Sequence, residues 1–127
     1  MGSDKIKSHA KLNLALNITG KNSYLHKIET IVVFVSLHDE IFIEKINSKK
    51  HKISFTGEFS RNIGNKNTVS KLLNILDKKR LLNNQKFKIR IKKKIPSKAG
   101  LGGGSMNAAN ILNYFLKKNI IKINKKE

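Results

Sequence analysis

The sequence predicts an α+β domain, a mostly antiparallel sheet with helices packed on one face. Three patterns carry that expectation: short apolar runs that alternate with polar residues, two stripes of helical period in the second half, and a glycine-rich segment joining the last strand to the last helix. The chain has 127 residues, enough for one two-layer core, so residues 1–127 are read as a single domain.

The elements follow in order. Residues 1–5 read as partly a leader, and no function is placed on them. From Leu12 to Ile18 the alternation is strict, with Leu12, Leu14, Leu16 and Ile18 on one face and Lys11, Asn13, Ala15 and Asn17 on the other. Lys11 and Asn13 therefore point the same way. Residues 20–23 form a turn, and 28–37 is a near-continuous apolar run of the kind found in a strand buried on both faces, which makes it the expected central strand. His38 and Asp39 break that run; Ile41 to Ile43 begin another strand, and Ile53 to Thr56 follow after a polar turn at 47–50. These strands are expected to run as a meander.

Residues 59–66 have no period and read as a loop. Val69, Leu72, Leu73 and Leu76 recur at i, i+3, i+4 and i+7, which predicts a helix over 68–80 with Asn67 as its cap. Phe87, Ile89 and Ile91 alternate with Lys88, Arg90 and Lys92, a half-buried strand. The final helix is marked by Ala108, Ile111, Leu112 and Phe115, with Ser105 where an N-cap would be useful.

Composition narrows the function classes. Without cysteine there is no disulfide framework, thiolate nucleophile or cysteine-based zinc site. Neither a signal peptide nor an apolar run of membrane-spanning length is present, so a cytoplasmic protein with no membrane partner is expected. The formal net charge of +19 invites a nucleic-acid reading, but the lysines are scattered through nearly every segment and aromatic residues are only 6%. A solvated basic surface accounts for them, and nucleic acid is not the expected partner. His9, His38 and His51 have no metal-ligand spacing with one another or with acids.

The glycine segment carries the chemistry. Four of the eight glycines lie at 100, 102, 103 and 104. Glycines there let backbone N–H groups approach a ligand closely, and the following helix adds its unpaired N-terminal donors, so the segment reads as an anion cradle. A Walker A loop would end in Gly-Lys-Ser or Gly-Lys-Thr, whereas Ser105 and Met106 follow Gly104. A dinucleotide fingerprint would place glycine at position 105, where serine stands.

The run Pro96-x-x-x-Gly100-Leu101-Gly102-Gly103-Gly104-Ser105, followed by Asn107-Ala108-Ala109, resembles the ATP-binding motif of the GHMP kinases. Its triple-glycine form is similar to that of the members acting on 4-diphosphocytidyl-2-C-methyl-D-erythritol. Ser8-His9-Ala10-Lys11-Leu12-Asn13-Leu14 resembles their N-terminal strand, and Leu25-His26-Lys27-Ile28-Glu29-Thr30 resembles a second motif. The resemblance implies a ribosomal protein S5 domain 2-like fold and an ATP- and Mg2+-dependent phosphoryl transfer to the 2-hydroxyl of that cytidyl sugar alcohol, in non-mevalonate isoprenoid biosynthesis.

Residue by residue, it implies that Gly100, Leu101, Gly102, Gly103, Gly104 and Ser105 hold the ATP phosphates, that Pro96 belongs to the same ATP-binding set, and that Asn67 sits near the adenine with Asn107 assisting at the nucleotide. Lys11 takes the catalytic role, and Asn13, Tyr24 and His26 meet the substrate. No residue is assigned as a metal ligand. Leu25 stands where the family has tyrosine directly before this histidine, and Met106 replaces a usual serine. The resemblance covers only the family's N-terminal domain; its catalytic aspartate would lie beyond Glu127, so the chain alone is expected to be weakly active or inactive. The rival readings are an S5-like RNA-binding or other binding module, and a half-domain that self-associates through a face left open.

Overall fold

The computed structural model describes residues 3–10, 36–61, 63–96 and 103–122. Its elements are β1 (Asp4–His9), β2 (His38–Ile46), β3 (Lys52–Thr56), α1 (Thr68–Lys78), β4 (Lys86–Lys92) and α2 (Gly103–Lys117). The four strands form one sheet in the order β1-β2-β4-β3. β1 pairs antiparallel with β2 and β2 antiparallel with β4, while β3 runs parallel to β4. The mixed α/β architecture and the mostly antiparallel sheet agree with the expected class. The strands expected over 12–18 and most of 28–37 lie outside the described residues.

The expected meander does not hold between β2 and β3. β4 is inserted between them, because α1 carries the chain back across the sheet and returns β4 parallel to β3, the arrangement a helical crossover permits and a tight hairpin does not. Alternation reports which face a residue occupies but not which strand lies beside it. Two other placements refine the expectation. Asp4 and Lys5 belong to β1, where Lys5 pairs with Glu40 at 2.7 Å, so they are part of the sheet. His38 and Asp39 open β2 instead of breaking a strand.

Rows of apolar side chains cross the sheet on one face. Ile6, Ile41, Ile91 and Phe55 are in register, as are Ile43, Ile89 and Ile53 in the next row. Against them α1 buries Val69, Leu73 and Leu76, and α2 buries Ile111 and Phe115, whose ring meets that of Phe87 at 4.9 Å. Each such side chain removed from water contributes about 1.5–3 kcal/mol before chain entropy is charged. On the other face Lys88, Arg90 and Lys92 are exposed, and Phe42 lies beneath the guanidinium of Arg90, 4.7 Å from the ring centre. No described helix covers this face, so both helices share one side of the sheet.

The helix ends have local causes. Asn67 caps α1 as expected, its Oδ1 accepting the Ser70 N–H at 2.8 Å. α1 stops at Lys78, two residues before the expected end, because Arg80 takes a left-handed φ of 57° and the N–H groups of Arg80 and Leu81 turn back to Asp77 and Leu76. α2 closes in the same way through Asn119, at φ 57°, with Ile120 bonded back to Phe115. Its start differs from expectation: the helix begins at Gly103, so Ser105 lies inside the first turn and is not the cap.

Candidate functional site

The N-termini of both helices converge on one place. A cavity of about 180 Å³ is lined by Asn67, Thr68 and Val69 from the start of α1, Gly104 and Asn107 from the start of α2, and Lys93, Ile95 and Pro96 from the segment leaving β4. Phe55 and Ile63 complete it. The helix starts are tied directly, Thr68 Oγ1 donating to the Gly104 carbonyl at 2.8 Å. A Cβ on Gly104 would stand 3.3 Å from that hydroxyl, a tight contact that the Thr68 side chain would have to relieve. Neither helix has an acidic residue in its first turn. The positive ends of two helix dipoles therefore reach the cavity without an internal counter-charge, which suits an anionic ligand. The apolar lining of Phe55, Ile63, Val69, Ile95 and Pro96 suits a flat, weakly polar group beside it.

Behind the cavity lies a buried polar network. Asp39 is fully buried. Its Oδ2 accepts from Lys93 Nζ at 2.5 Å and Asn107 Nδ2 at 3.1 Å; its Oδ1 accepts the backbone N–H groups of Lys94 at 2.7 Å and Ile95 at 2.9 Å. Lys93 Nζ also donates to Asn107 Oδ1 at 2.8 Å, and Asn107 Nδ2 donates to Ser8 Oγ at 2.9 Å. A buried ion pair persists when its remaining donors and acceptors are satisfied, and no buried side-chain N or O among the described residues lacks a partner. Lys93 is held from a second side, where its N–H donates to the Thr56 carbonyl at 2.7 Å and Gly57, at φ +96°, packs against its backbone.

The structure brings four expected site residues, Asn67, Pro96, Gly104 and Asn107, to this one cavity. Gly103 opens α2 and Ser105 is exposed on its first turn. Lys11, Asn13, Tyr24, His26, Gly100, Leu101 and Gly102 lie outside the described residues. Asn67 lines the cavity, but its amide already caps α1 and donates to the Gly64 carbonyl at 2.9 Å. Asn107 is only 1% exposed, with its carbonyl on Lys93 and both amide hydrogens accounted for by Ser8 and Asp39, so its side chain is engaged in the buried network.

Sequence reasoning missed Asp39, Lys93 and Gly57. A single acid directly before an apolar strand and one lysine in a run of three carry no periodic signal. His51 was also left without a role. Its Nδ1 accepts the Phe87 N–H at 3.0 Å, which leaves Nε2 to donate to Asp77 at 3.0 Å, and Lys86 reaches the same carboxylate at 3.3 Å. That cluster ties the turn before β3 to the end of α1. On the open face of the sheet, Glu40 lies between Lys5 and Lys94, and the hydrogen bonds from these two ammonium groups hold its carboxyl down to about 2. Among the described residues no group of three or more His, Asp or Glu is placed to hold a metal ion, and no helix is long and apolar enough to cross a membrane.

Residues 67–127 match the family described as the GHMP kinases N terminal domain, a span that opens at the cap of α1 and includes the glycine segment. The whole chain is 61% identical to a 4-diphosphocytidyl-2-C-methyl-D-erythritol kinase of Pelagibacter ubique, of which it covers 45%. A kinase of the same name from Caldicellulosiruptor bescii is 40% identical over 85% of the chain and 37% of its own length. The chain thus spans less than half the length of these curated relatives. Among solved structures, a 4-(cytidine 5'-diphospho)-2C-methyl-D-erythritol kinase matches 70% of the chain and 30% of its own, with a TM-score of 0.53 and 27% identity. A homoserine kinase from Cytophaga hutchinsonii matches 72% of the chain and 30% of its own, with a TM-score of 0.52 and 25% identity. These likenesses favour the kinase reading over an RNA-binding module. With its cavity at the start of two helices and its glycine segment, the chain is similar in sequence and fold to the N-terminal part of the GHMP kinases.

Proposed function

We propose that the chain forms the ATP-binding part of a kinase that phosphorylates the 2-hydroxyl of 4-diphosphocytidyl-2-C-methyl-D-erythritol, a step of non-mevalonate isoprenoid biosynthesis. The observation that carries the reading is the cavity where both helix N-termini meet the residues flanking the glycine segment. The 61% identity to the Pelagibacter kinase supports the substrate.

Phosphoryl transfer requires positioning and charge neutralisation more than covalent chemistry. In this reading the first-turn N–H groups of α2, from Gly103 to Ser105, and the glycines before them receive the phosphates, and Ser105 adds its exposed hydroxyl. The apolar wall of Phe55, Ile63, Val69 and Ile95 receives the adenine, with Asn67 and Pro96 at its edge. Mg2+, when bound with ATP, would supply charge neutralisation on the transferred phosphoryl group. Lys11 is proposed as the catalytic cation, Asn13 as its neighbour, and Tyr24 and His26 as contacts to the cytidyl substrate. A carboxylate near the acceptor hydroxyl is left to the length that the relatives have and this chain does not span.

Titration of the chain with ATP and Mg2+, beside a Gly103→Val variant, tests the reading. Saturable binding by the parent that weakens at least tenfold in the variant is expected. Equal binding by both, or none by the parent, would overturn it.

A further inference from the structure

The two ends of the glycine segment are not held independently. The segment follows Lys93, Lys94 and Ile95 at the end of the sheet and precedes α2, and one carboxylate grips both sides. Asp39 Oδ1 takes the backbone N–H groups of Lys94 and Ile95, and Oδ2 takes Asn107 Nδ2 from the second turn of α2. Lys93 Nζ bridges Asp39 Oδ2 to Asn107 Oδ1, closing a triangle between the two sides. We infer that Asp39 is a positioning residue for nucleotide binding: it sets where the glycine segment starts relative to the helix whose first turn meets the phosphates. The inference rests on the ATP reading above and deepens it.

The arrangement is more specific than a core ion pair. A carboxylate presents about four acceptor directions, and here two backbone donors, one ammonium and one amide fill them. Lys93, Ile95 and Asn107, three of the groups it holds, line the cavity themselves. Anchors further out fix the same frame. Ser8 receives Nδ2 of both Asn107 and Asn110, and the Thr56 carbonyl receives the Lys93 N–H. An asparagine at position 39 would keep one oxygen for the backbone N–H groups but turn an N–H2 toward Lys93 Nζ and Asn107 Nδ2, donor against donor. The two sides would then separate, and displacement of a binding group by about 1 Å costs on the order of a hundredfold in a positioned reaction.

The test compares Asp39→Asn with Leu76→Ala, a core change near the far end of α1 that lowers stability without touching the network. ATP with Mg2+ is titrated into each under conditions where the protein remains folded, and hydrogen exchange is read at the Lys94 and Ile95 amides. Expected are a dissociation constant at least tenfold higher and faster exchange at those two amides in Asp39→Asn, with Leu76→Ala binding as the parent does. If Asp39→Asn proves too unstable to titrate, Asp39→Glu keeps the counter-charge to Lys93 but lengthens the arm by one methylene, and the same loss of affinity is expected. Unchanged affinity in the position-39 variant, or an equal loss in Leu76→Ala, overturns the inference while the ATP reading stands. A parent chain that does not bind ATP overturns both.

Discussion

Replacing Gly57 with alanine tests how rigidly the exit of β4 is held. Gly57 sits at φ +96°, and a Cβ built there would lie 2.6 Å from the Lys93 carbonyl oxygen and 3.0 Å from its nitrogen. Ordinary contact begins near 3.4 Å, so the Lys93 backbone would have to retreat by about 0.8 Å. It is not free to do so, since its N–H is bonded to Thr56 and its ammonium to Asp39 and Asn107. The left-handed backbone costs a non-glycine residue about 1–3 kcal/mol. Overpacking a close contact adds about 1–3 kcal/mol. Together they remove about 2–6 kcal/mol from a stability that for small domains is about 5–15 kcal/mol. With a urea slope of about 2 kcal/mol per molar, the middle of that range, about 4 kcal/mol, lowers the unfolding midpoint by about 2 M. Gly64→Ala is the control: Gly64 has no positive φ and nothing within 4 Å of its built Cβ. Its midpoint should stay the same or rise slightly, with less freedom in the unfolded chain. Equal midpoints for Gly57→Ala and Gly64→Ala would refute the argument that Gly57 clamps Lys93.

Other perturbations separate local causes. Arg80→Gly relieves a left-handed residue at the end of α1 and should stabilise the chain by about 1 kcal/mol in the same urea assay. Asn67→Ala removes the cap of α1 and should cost about 1 kcal/mol, visible as lost helix signal and a lower melting point. Glu40 titrates near 2 in the folded chain against an ordinary value of 4.5, so its contribution is complete above about pH 4.5 and disappears as pH falls toward 2. Acid titration of Glu40→Gln should therefore show a shallower loss of stability across that window, while the two proteins keep a constant difference above it.

What could be read in the sequence was what repeats. The stripe of Val69, Leu72, Leu73 and Leu76 and the asparagine before it identified α1 and its cap, because a helix writes its face and its start into neighbouring positions. The alternation of Phe87, Ile89 and Ile91 gave β4 its buried face. Strand neighbours were not legible, since placing β4 between β2 and β3 depends on the path of α1 over the sheet. The glycine segment announced an anion site, but the carboxylate that holds its ends did not. Asp39 is separated from Ile95 by 56 residues and from Asn107 by 68, and only folding brings them together. Ser105 was misread as a cap because three glycines mask where a helix starts: glycine has low helix propensity, yet Gly103 and Gly104 already lie in α2.

The most direct test of the nucleotide site is a map of backbone amide shifts on adding ATP with Mg2+. The account predicts perturbations concentrated at Gly103 to Asn107 and at Asn67 to Val69, with His51 and Asp77 unmoved. Shifts confined to Lys88, Arg90 and Lys92 on the open face of the sheet, or no saturable shifts at all, would contradict it.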